Sequence, residues 1–205
     1  MKHQTEQEEF WAGEFGVQYM DRNNSQALVA ANLKLFSEIL SKTKNVDSIL
    51  ELGANIGLNL EALKMLKPEA KISAVEINTQ AAEKLKQLNL EQVFVQSIIG
   101  FNSEKKYDLV FTKGVLIHIN PEALNQVYDC MYAVAAKYVC LVEYYNPRPT
   151  VISYRNHENK LFKRDFCGDL MERFSDLTLI DYGFVYHRDN NFPGDDVTWF
   201  LLEKK

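Results

Sequence analysis

A pair of acidic side chains, Glu51 and Glu76, with a glycine-asparagine-glycine turn between them, is the part of this chain best suited to chemistry. Glu51 opens the run Glu51-Leu52-Gly53-Ala54-Asn55-Ile56-Gly57-Leu58, and Glu76 closes the apolar run Ile72-Ser73-Ala74-Val75. Gly53 and Gly57 carry no Cβ, so the backbone there can pass close to a ligand. Asn55 stands where a third glycine is usual, and asparagine is among the few other residues that tolerate positive φ. A carboxylate ending the second strand can accept hydrogen bonds from both hydroxyls of a ribose. The constellation reads as a nucleoside-cofactor site. The plainer reading is a β-turn-α unit with an exposed Glu76.

These residues need a strand, a tight turn, a helix and a second strand to hold them. Ile49, Leu50 and Leu52 supply the first strand; Leu58, Leu60, Leu63 and Leu66 follow at helical spacing and stop before Pro68. A dinucleotide site normally shows G-x-G-x-x-G, with helix N-terminal amides facing a pyrophosphate. Here the order is Glu-x-Gly-x-Asn-x-Gly, and an acid before the first glycine argues against a pyrophosphate nearby. A nicotinamide oxidoreductase is therefore the weaker alternative.

The pattern Glu51 to Gly57 resembles motif I of the class I S-adenosylmethionine-dependent methyltransferases. That resemblance implies cofactor contacts from Glu51, Gly53, Ala54, Asn55, Gly57 and Leu58, and from Glu76 and Ile77. Ser97 takes the place where the family often has Asp toward the adenine, with Ile98 against the base. The run Asp108-Leu109-Val110-Phe111, leading into a small-residue turn, is the second resemblance. It implies strand-end carbonyls of Thr112, Lys113 and Gly114 at the methionine ammonium. His118 reads as lining the methyl-transfer site, or as a satisfied histidine at a helix start.

The remaining elements read as follows. Residues 4–22 mix polar residues with Phe10, Trp11, Phe15 and Tyr19, and glycines at 13 and 16 break the pattern, so a short helix or cap is expected. Trp11, Tyr19, Arg22 and Asn23 are candidates to close over the cofactor. Asn24 or Ser25 can cap a helix over 26–41. A helix over 79–88, strands over 92–97, 107–112 and 138–143, and a helix over 122–136 continue the alternation. A helix over 164–174 and strands over 177–184 and 197–203 end it. The expected fold is α/β and Rossmann-like, a seven-stranded, mostly parallel sheet with helices on both faces. It forms one methyltransferase domain: 1–45 a helical cap, 46–145 the cofactor-binding core, 146–205 an acceptor-side loop and closing strands.

Composition agrees with a soluble, cytoplasmic enzyme. The chain has 205 residues, 46% hydrophobic and 25% charged, with net charge −5. That balance argues against general nucleic-acid binding. The polar start is no signal peptide, and no run approaches the ~18–20 apolar residues that span a bilayer. Cys130, Cys140 and Cys167 are far apart, as buried thiols of a reducing compartment are. His3, His118, His157 and His187 show no ligand spacing, so no metal is expected.

The acceptor side is expected between Arg148 and Arg164, where Arg148, Arg155, Lys160, Lys163 and Arg164 face a single acid, Glu158. Tyr144, Tyr145 and Asn146 lead into this stretch, Tyr154 stands within it, and Tyr182, His187 and Arg188 follow. Arginine forks suit a carboxylate or phosphate, so a small anionic acceptor is expected; a solvated charged loop is the bland reading. For a hydroxyl or amine acceptor, His118, Glu143, Tyr145 or His187 would serve as base, typically contributing ~10²–10⁴-fold. An acceptor already anionic needs none.

Longer runs point further. Glu9 to Gly16, Arg22-Asn23-Asn24, Leu50 to Leu60, Glu143-Tyr144-Tyr145-Asn146-Pro147, Lys163-Arg164-Asp165-Phe166 and Thr198-Trp199-Phe200 resemble the methylase family named after pseudaminic acid biosynthesis. The resemblance implies a bacterial enzyme of surface-glycan or capsule polysaccharide biosynthesis, with a sugar acid, nucleotide sugar or phosphorylated precursor as acceptor and O-methylation favoured. A catalytically silent cofactor-binding partner in a glycan-modifying complex is the alternative.

Overall fold

The computed structural model describes residues 4–205; His3 lies outside them. The N-terminal segment is a pair of short helices, α1 (Glu6–Ala12) and α2 (Glu14–Arg22), joined at Gly13. Gly16 does not break the pattern as expected but lies within α2. Thr5 and Glu8 form a reciprocal capping box at the start of α1, worth about 1 kcal/mol. Ser25 caps α3 (Gln26–Leu40) through the Leu28 amide.

The core alternates as its period demands. β1 (Ser48–Leu52), α4 (Leu58–Leu66), β2 (Lys71–Glu76), α5 (Thr79–Leu85) and β3 (Gln92–Val95) come first. β4 (Tyr107–Lys113), α6 (Leu124–Val134) and β5 (Ala135–Glu143) follow. The expected helix to residue 136 ends earlier, because Ala135 already pairs with Tyr107 of β4. The chain ends with α7 (Phe166–Arg173), β8 (Leu177–Val185) and β9 (Val197–Lys204).

Between β5 and α7 the structure corrects the expected loop. Residues there form a hairpin, β6 (Thr150–Tyr154) and β7 (His157–Lys163), paired only with each other. Its turn places Arg155 at φ 50° and Asn156 at φ 66°, the left-handed pair a two-residue hairpin turn requires.

The main sheet has seven strands in the order β3-β2-β1-β4-β5-β9-β8. The first five are parallel, and β9 runs antiparallel to both β5 and β8. Parallel strands buried on both faces need apolar residues throughout. Leu50, Val110, Val139 and Leu141 face α6 and α7, while Ile49, Leu109, Phe111 and Cys140 face α3 and α4. No helix among the described residues is long and apolar enough to cross a membrane. The three cysteines are free and buried.

Candidate functional site

Parallel sheets leave a crevice at the carboxyl ends of their strands, where the chain turns into helices on either side. Here that crevice is a cleft with about 1240 Å³ of open space, lined by the β1–α4 turn, the end of β2, the β3 and β4 exits and the N-terminal cap.

The turn is shaped by conformation and packing. Gly53 (φ 80°), Asn55 (φ 49°) and Gly57 (φ 87°) are all left-handed. A Cβ on Gly53 would lie 2.7 Å from the Val115 side chain, and one on Gly57 would run into the side chain of Leu88. The glycines therefore make room for protein side chains, not only for a ligand. Glu76 fastens the turn to β2: Oε2 accepts the Asn55 amide at 2.6 Å and Oε1 accepts the Asn78 amide at 2.7 Å. Burial raises the Glu76 pKa, and these amides pull against the rise. Each oxygen keeps lone-pair capacity for a hydroxyl.

Glu51 lies deeper. Its Oε1 accepts from Asn59 at 2.6 Å, while Oε2 is buried and unpartnered. Burial pushes its carboxyl up to about 8, against the Asn59 hydrogen bond and the nearby Lys113 charge. A buried carboxylate in this state is stabilised by a cation brought to it.

Most of the residues expected at the cofactor line the cleft: Trp11, Tyr19, Asn23, Gly53, Ala54, Asn55, Gly57, Leu58, Glu76, Ile77, Ser97, Ile98, Lys113, Gly114 and His118. Three do not. Glu51 sits behind Asn59, Thr112 is wholly buried, and Arg22 is exposed with its guanidinium 5.5 Å from the Phe15 ring. Sequence reasoning missed Gln7, Glu8, Asn32, Asn59, Asn78 and Asp195, which also line it. Asn78 reads in sequence only as a helix cap, which it is. Its amide nitrogen also reaches the carbonyls of Trp11 and Ala12 at 3.2 and 3.3 Å, tying the α1–α2 junction to the end of β2.

His118 sits in a short 3-10 turn after β4, its ring 4.5 Å from Trp11 and 5.0 Å from Tyr154. Burial pulls its pKa down to about 4. Its Nδ1 lies 2.6 Å from the Lys160 carbonyl; a carbonyl only accepts, so Nδ1 carries the proton and Nε2 keeps a lone pair. Glu143 is not in the cleft. Its Oε1 accepts the Val115 and Leu116 amides at 3.1 Å each, holding the turn that carries His118. Burial pushes it up to about 7. Tyr145 and His187 are exposed and outside the cleft lining; His187 pairs with Asp196 at 2.7 Å.

None of Tyr144, Asn146, Arg148, Tyr154, Arg155, Lys163, Arg164, Tyr182 or Arg188 lines the cleft. The cations are divided. Arg164 Nε lies 2.6 Å from Asp169, and Lys160 pairs with Glu6 at 3.1 Å. Lys163 lies 4.7 Å from the Tyr144 ring and Arg155 5.9 Å from the Tyr154 ring. Arg148 and Arg188 are exposed. Tyr19 joins the cleft to this side: burial raises its pKa, the charges of Tyr154, Asp195 and Tyr144 add to the rise, and Arg155 opposes it. Tyr144 is pushed up to about 12 by burial, with Asp195 next in effect. Asn146 is spent on the hairpin base, donating to Arg148 and Thr150. Among the described residues, no cluster of His, Cys, Asp and Glu is placed to hold a metal.

No family model and no curated protein sequence matches this chain. Solved structures do. An amino pentose methyltransferase from Micromonospora echinaspora, bound to S-adenosylmethionine, is 10% identical over 93% of this chain and 96% of its own, with a TM-score of 0.66. A 1,6-didemethyltoxoflavin N1-methyltransferase from Burkholderia thailandensis, with S-adenosylhomocysteine, is 15% identical over 93% and 85%, at 0.68. The magnesium protoporphyrin IX methyltransferase of Synechocystis is 11% identical over 100% of both chains, at 0.65. The likeness is one of fold: this chain has the Rossmann-like α/β fold of S-adenosylmethionine-dependent methyltransferases.

Proposed function

We propose that the protein is an S-adenosylmethionine-dependent methyltransferase that O-methylates a small molecule. The observation that carries this reading is the cleft in which Glu76 holds the Asn55 turn, with Asn55 Oδ1 buried there without a partner and Glu51 Oε2 likewise unpartnered behind Asn59. Those groups fit the cofactor's chemistry. Glu76 would take the ribose hydroxyls, Glu51 with Asn59 and the Lys113–Gly114 exit would face the ammonium end, and Ile77 and Ile98 would flank the base. When bound, S-adenosylmethionine supplies a methyl group on a positively charged sulfur.

The chain's own part is positioning and proton handling. Trp11 and Tyr19 close the cleft against water. His118, neutral at ordinary pH, presents Nε2 to take a proton from an acceptor hydroxyl. Glu143 fixes the turn beneath it. His187 and Tyr145, outside the cleft, are not the bases in this reading.

For the acceptor we favour a sugar acid, nucleotide sugar or phosphorylated precursor of bacterial surface-glycan synthesis. The sequence runs given above support that setting, and Arg155 and Lys163 support a charge at the hairpin side. Lys160 and Arg164 are committed to Glu6 and Asp169 and drop out of it. Calorimetric titration with S-adenosylmethionine, S-adenosylhomocysteine and NAD tests the reading. Binding of the sulfur nucleosides alone supports it and opens a mass-gain screen of acceptors; methyl gain also separates it from a silent binding partner. Binding of NAD, or of nothing, overturns it.

A further inference from the structure

Two buried polar atoms on α1 have no partner and no role in the account above. They are Gln7 Oε1 and Trp11 Nε1. Gln7 and Trp11 lie one helical turn apart, so their side chains share a face, and both line the cleft. The orientation of the Gln7 amide is settled by its surroundings. Its nitrogen donates to the Asn159 carbonyl at 3.0 Å and to Glu6 Oε1 at 3.2 Å, so its oxygen points elsewhere as an acceptor. Trp11 Nε1 is a donor only. Beside it, 4.5 Å between rings, His118 has Nδ1 committed to the Lys160 carbonyl and Nε2 open as an acceptor.

The recess therefore offers two acceptors and one donor. Lys160 pairs with Glu6, and the carboxyl groups of Glu8 and Asp195 stand in the cleft lining without a cation paired to them among the described residues. A carboxylate or phosphate, rich in acceptors, would meet Gln7 Oε1 and His118 Nε2 with only one N–H to satisfy it. A hydroxyl donates once and accepts, so it fits between His118 Nε2 and Trp11 Nε1. A neighbouring hydroxyl or amine would donate to Gln7. Leaving such buried groups unpaired is costly, which makes them discriminating as well as attractive.

We propose that Gln7, Trp11 and His118 form the acceptor-recognition recess, and that it takes a neutral pair of adjacent donors, a vicinal diol or amino alcohol, and rejects an anion. This rests on the methyltransferase reading. It deepens that reading by placing any negative charge of the acceptor outside, toward Arg155 and Lys163, with the reacting hydroxyl inside at His118.

The indole N–H of Trp11 is the probe. Its NMR signal is assigned by Trp11→Phe, which leaves Trp199 alone. The protein, with and without S-adenosylhomocysteine, is titrated with methyl α-D-glucopyranoside, then with inorganic phosphate and acetate. The sugar should move the Trp11 signal saturably, and Gln7→Met should weaken that response about tenfold, a larger loss than any it causes in calorimetric nucleoside binding. Phosphate and acetate should leave the signal in place. A stronger response to the anions, no response to the sugar in either form, or a Gln7→Met protein that responds as before, overturns the recess. Failure to bind S-adenosylhomocysteine overturns the methyltransferase reading instead, and the nucleoside-free titration still reads the recess.

Discussion

The backbone amide of Asn55 lies 2.6 Å from Glu76 Oε2, so the turn after β1 and the acid ending β2 are a single hydrogen-bonded unit. A residue that reads in sequence as a ligand contact also sets the shape of the turn. Glu76→Ala should therefore lower affinity for S-adenosylhomocysteine on the order of 100-fold, since it removes charge-assisted bonds and frees the Asn55 amide. Glu76→Gln, which still accepts at one oxygen, should fall between. Calorimetry checks both, and unchanged affinity in the alanine variant would remove Glu76 from the site.

Asn78 does two jobs, capping α5 through Oδ1 and holding the Trp11 and Ala12 carbonyls through its amide nitrogen. Asn78→Asp keeps the cap and loses the donor. It should leave α5 protected while the amides of α1 and α2 exchange with solvent about tenfold faster or more. Hydrogen exchange read residue by residue checks this, and equal protection in both proteins would show that the clamp is idle.

Burial pushes Glu143 up to about 7 and Glu51 up to about 8, both above the ordinary 4.5. Between pH 4.5 and those values the folded protein holds protons the unfolded chain has lost. Stability therefore falls as pH rises through that window and levels off above it. Burial raises Glu76 as well; Glu143→Gln keeps an acceptor for the Val115 and Leu116 amides and removes one of these titrations. The loss of stability between about pH 5 and pH 8 should shrink by on the order of 1–3 kcal/mol, read from urea unfolding. His118, pulled down to about 4, works the other way below about pH 6.5, so the comparison uses the change in slope rather than the curve itself.

Arg164 and Arg155 look alike in sequence and should behave differently. Arg164 is about three-quarters buried against Asp169, which also accepts from Tyr128. Arg164→Ala strands that carboxylate and should lower stability by roughly 1–2 kcal/mol, discounted for partial exposure. Arg155 is exposed at the hairpin turn, and Arg155→Ala should stay within about 0.5 kcal/mol. A denaturation midpoint for each decides it.

The α/β frame was readable because hydrophobic period, turn glycines and strand-ending acids are local signals. The hairpin was not. His157-Glu158-Asn159 carries no apolar alternation, and its clearest mark, the left-handed Arg155-Asn156 turn, lacks the usual glycine. The cleft was readable where backbone conformation dictates residue type, at Gly53, Asn55 and Gly57. It was hidden where a side chain's partner lies far along the chain. Lys160 is a free cation in the sequence until Glu6 folds onto it, and Gln7 is an ordinary helix residue until Asn159 fixes its amide.

Tyr145 and Arg164 bridge to one another at the foot of the hairpin. The chain thus leaves the scaffold and re-enters it at neighbouring points, and the strands of the main sheet never pair with what lies between. Yet its carbonyls at Asn159 and Lys160 hold Gln7 and His118, and Leu161 and Phe162 are buried. The hairpin is a keystone between cap and scaffold. Its exposed tip at Arg155 and Asn156 can change length with only a slow rise in closure entropy, while its second strand cannot be exchanged without loosening both cleft residues.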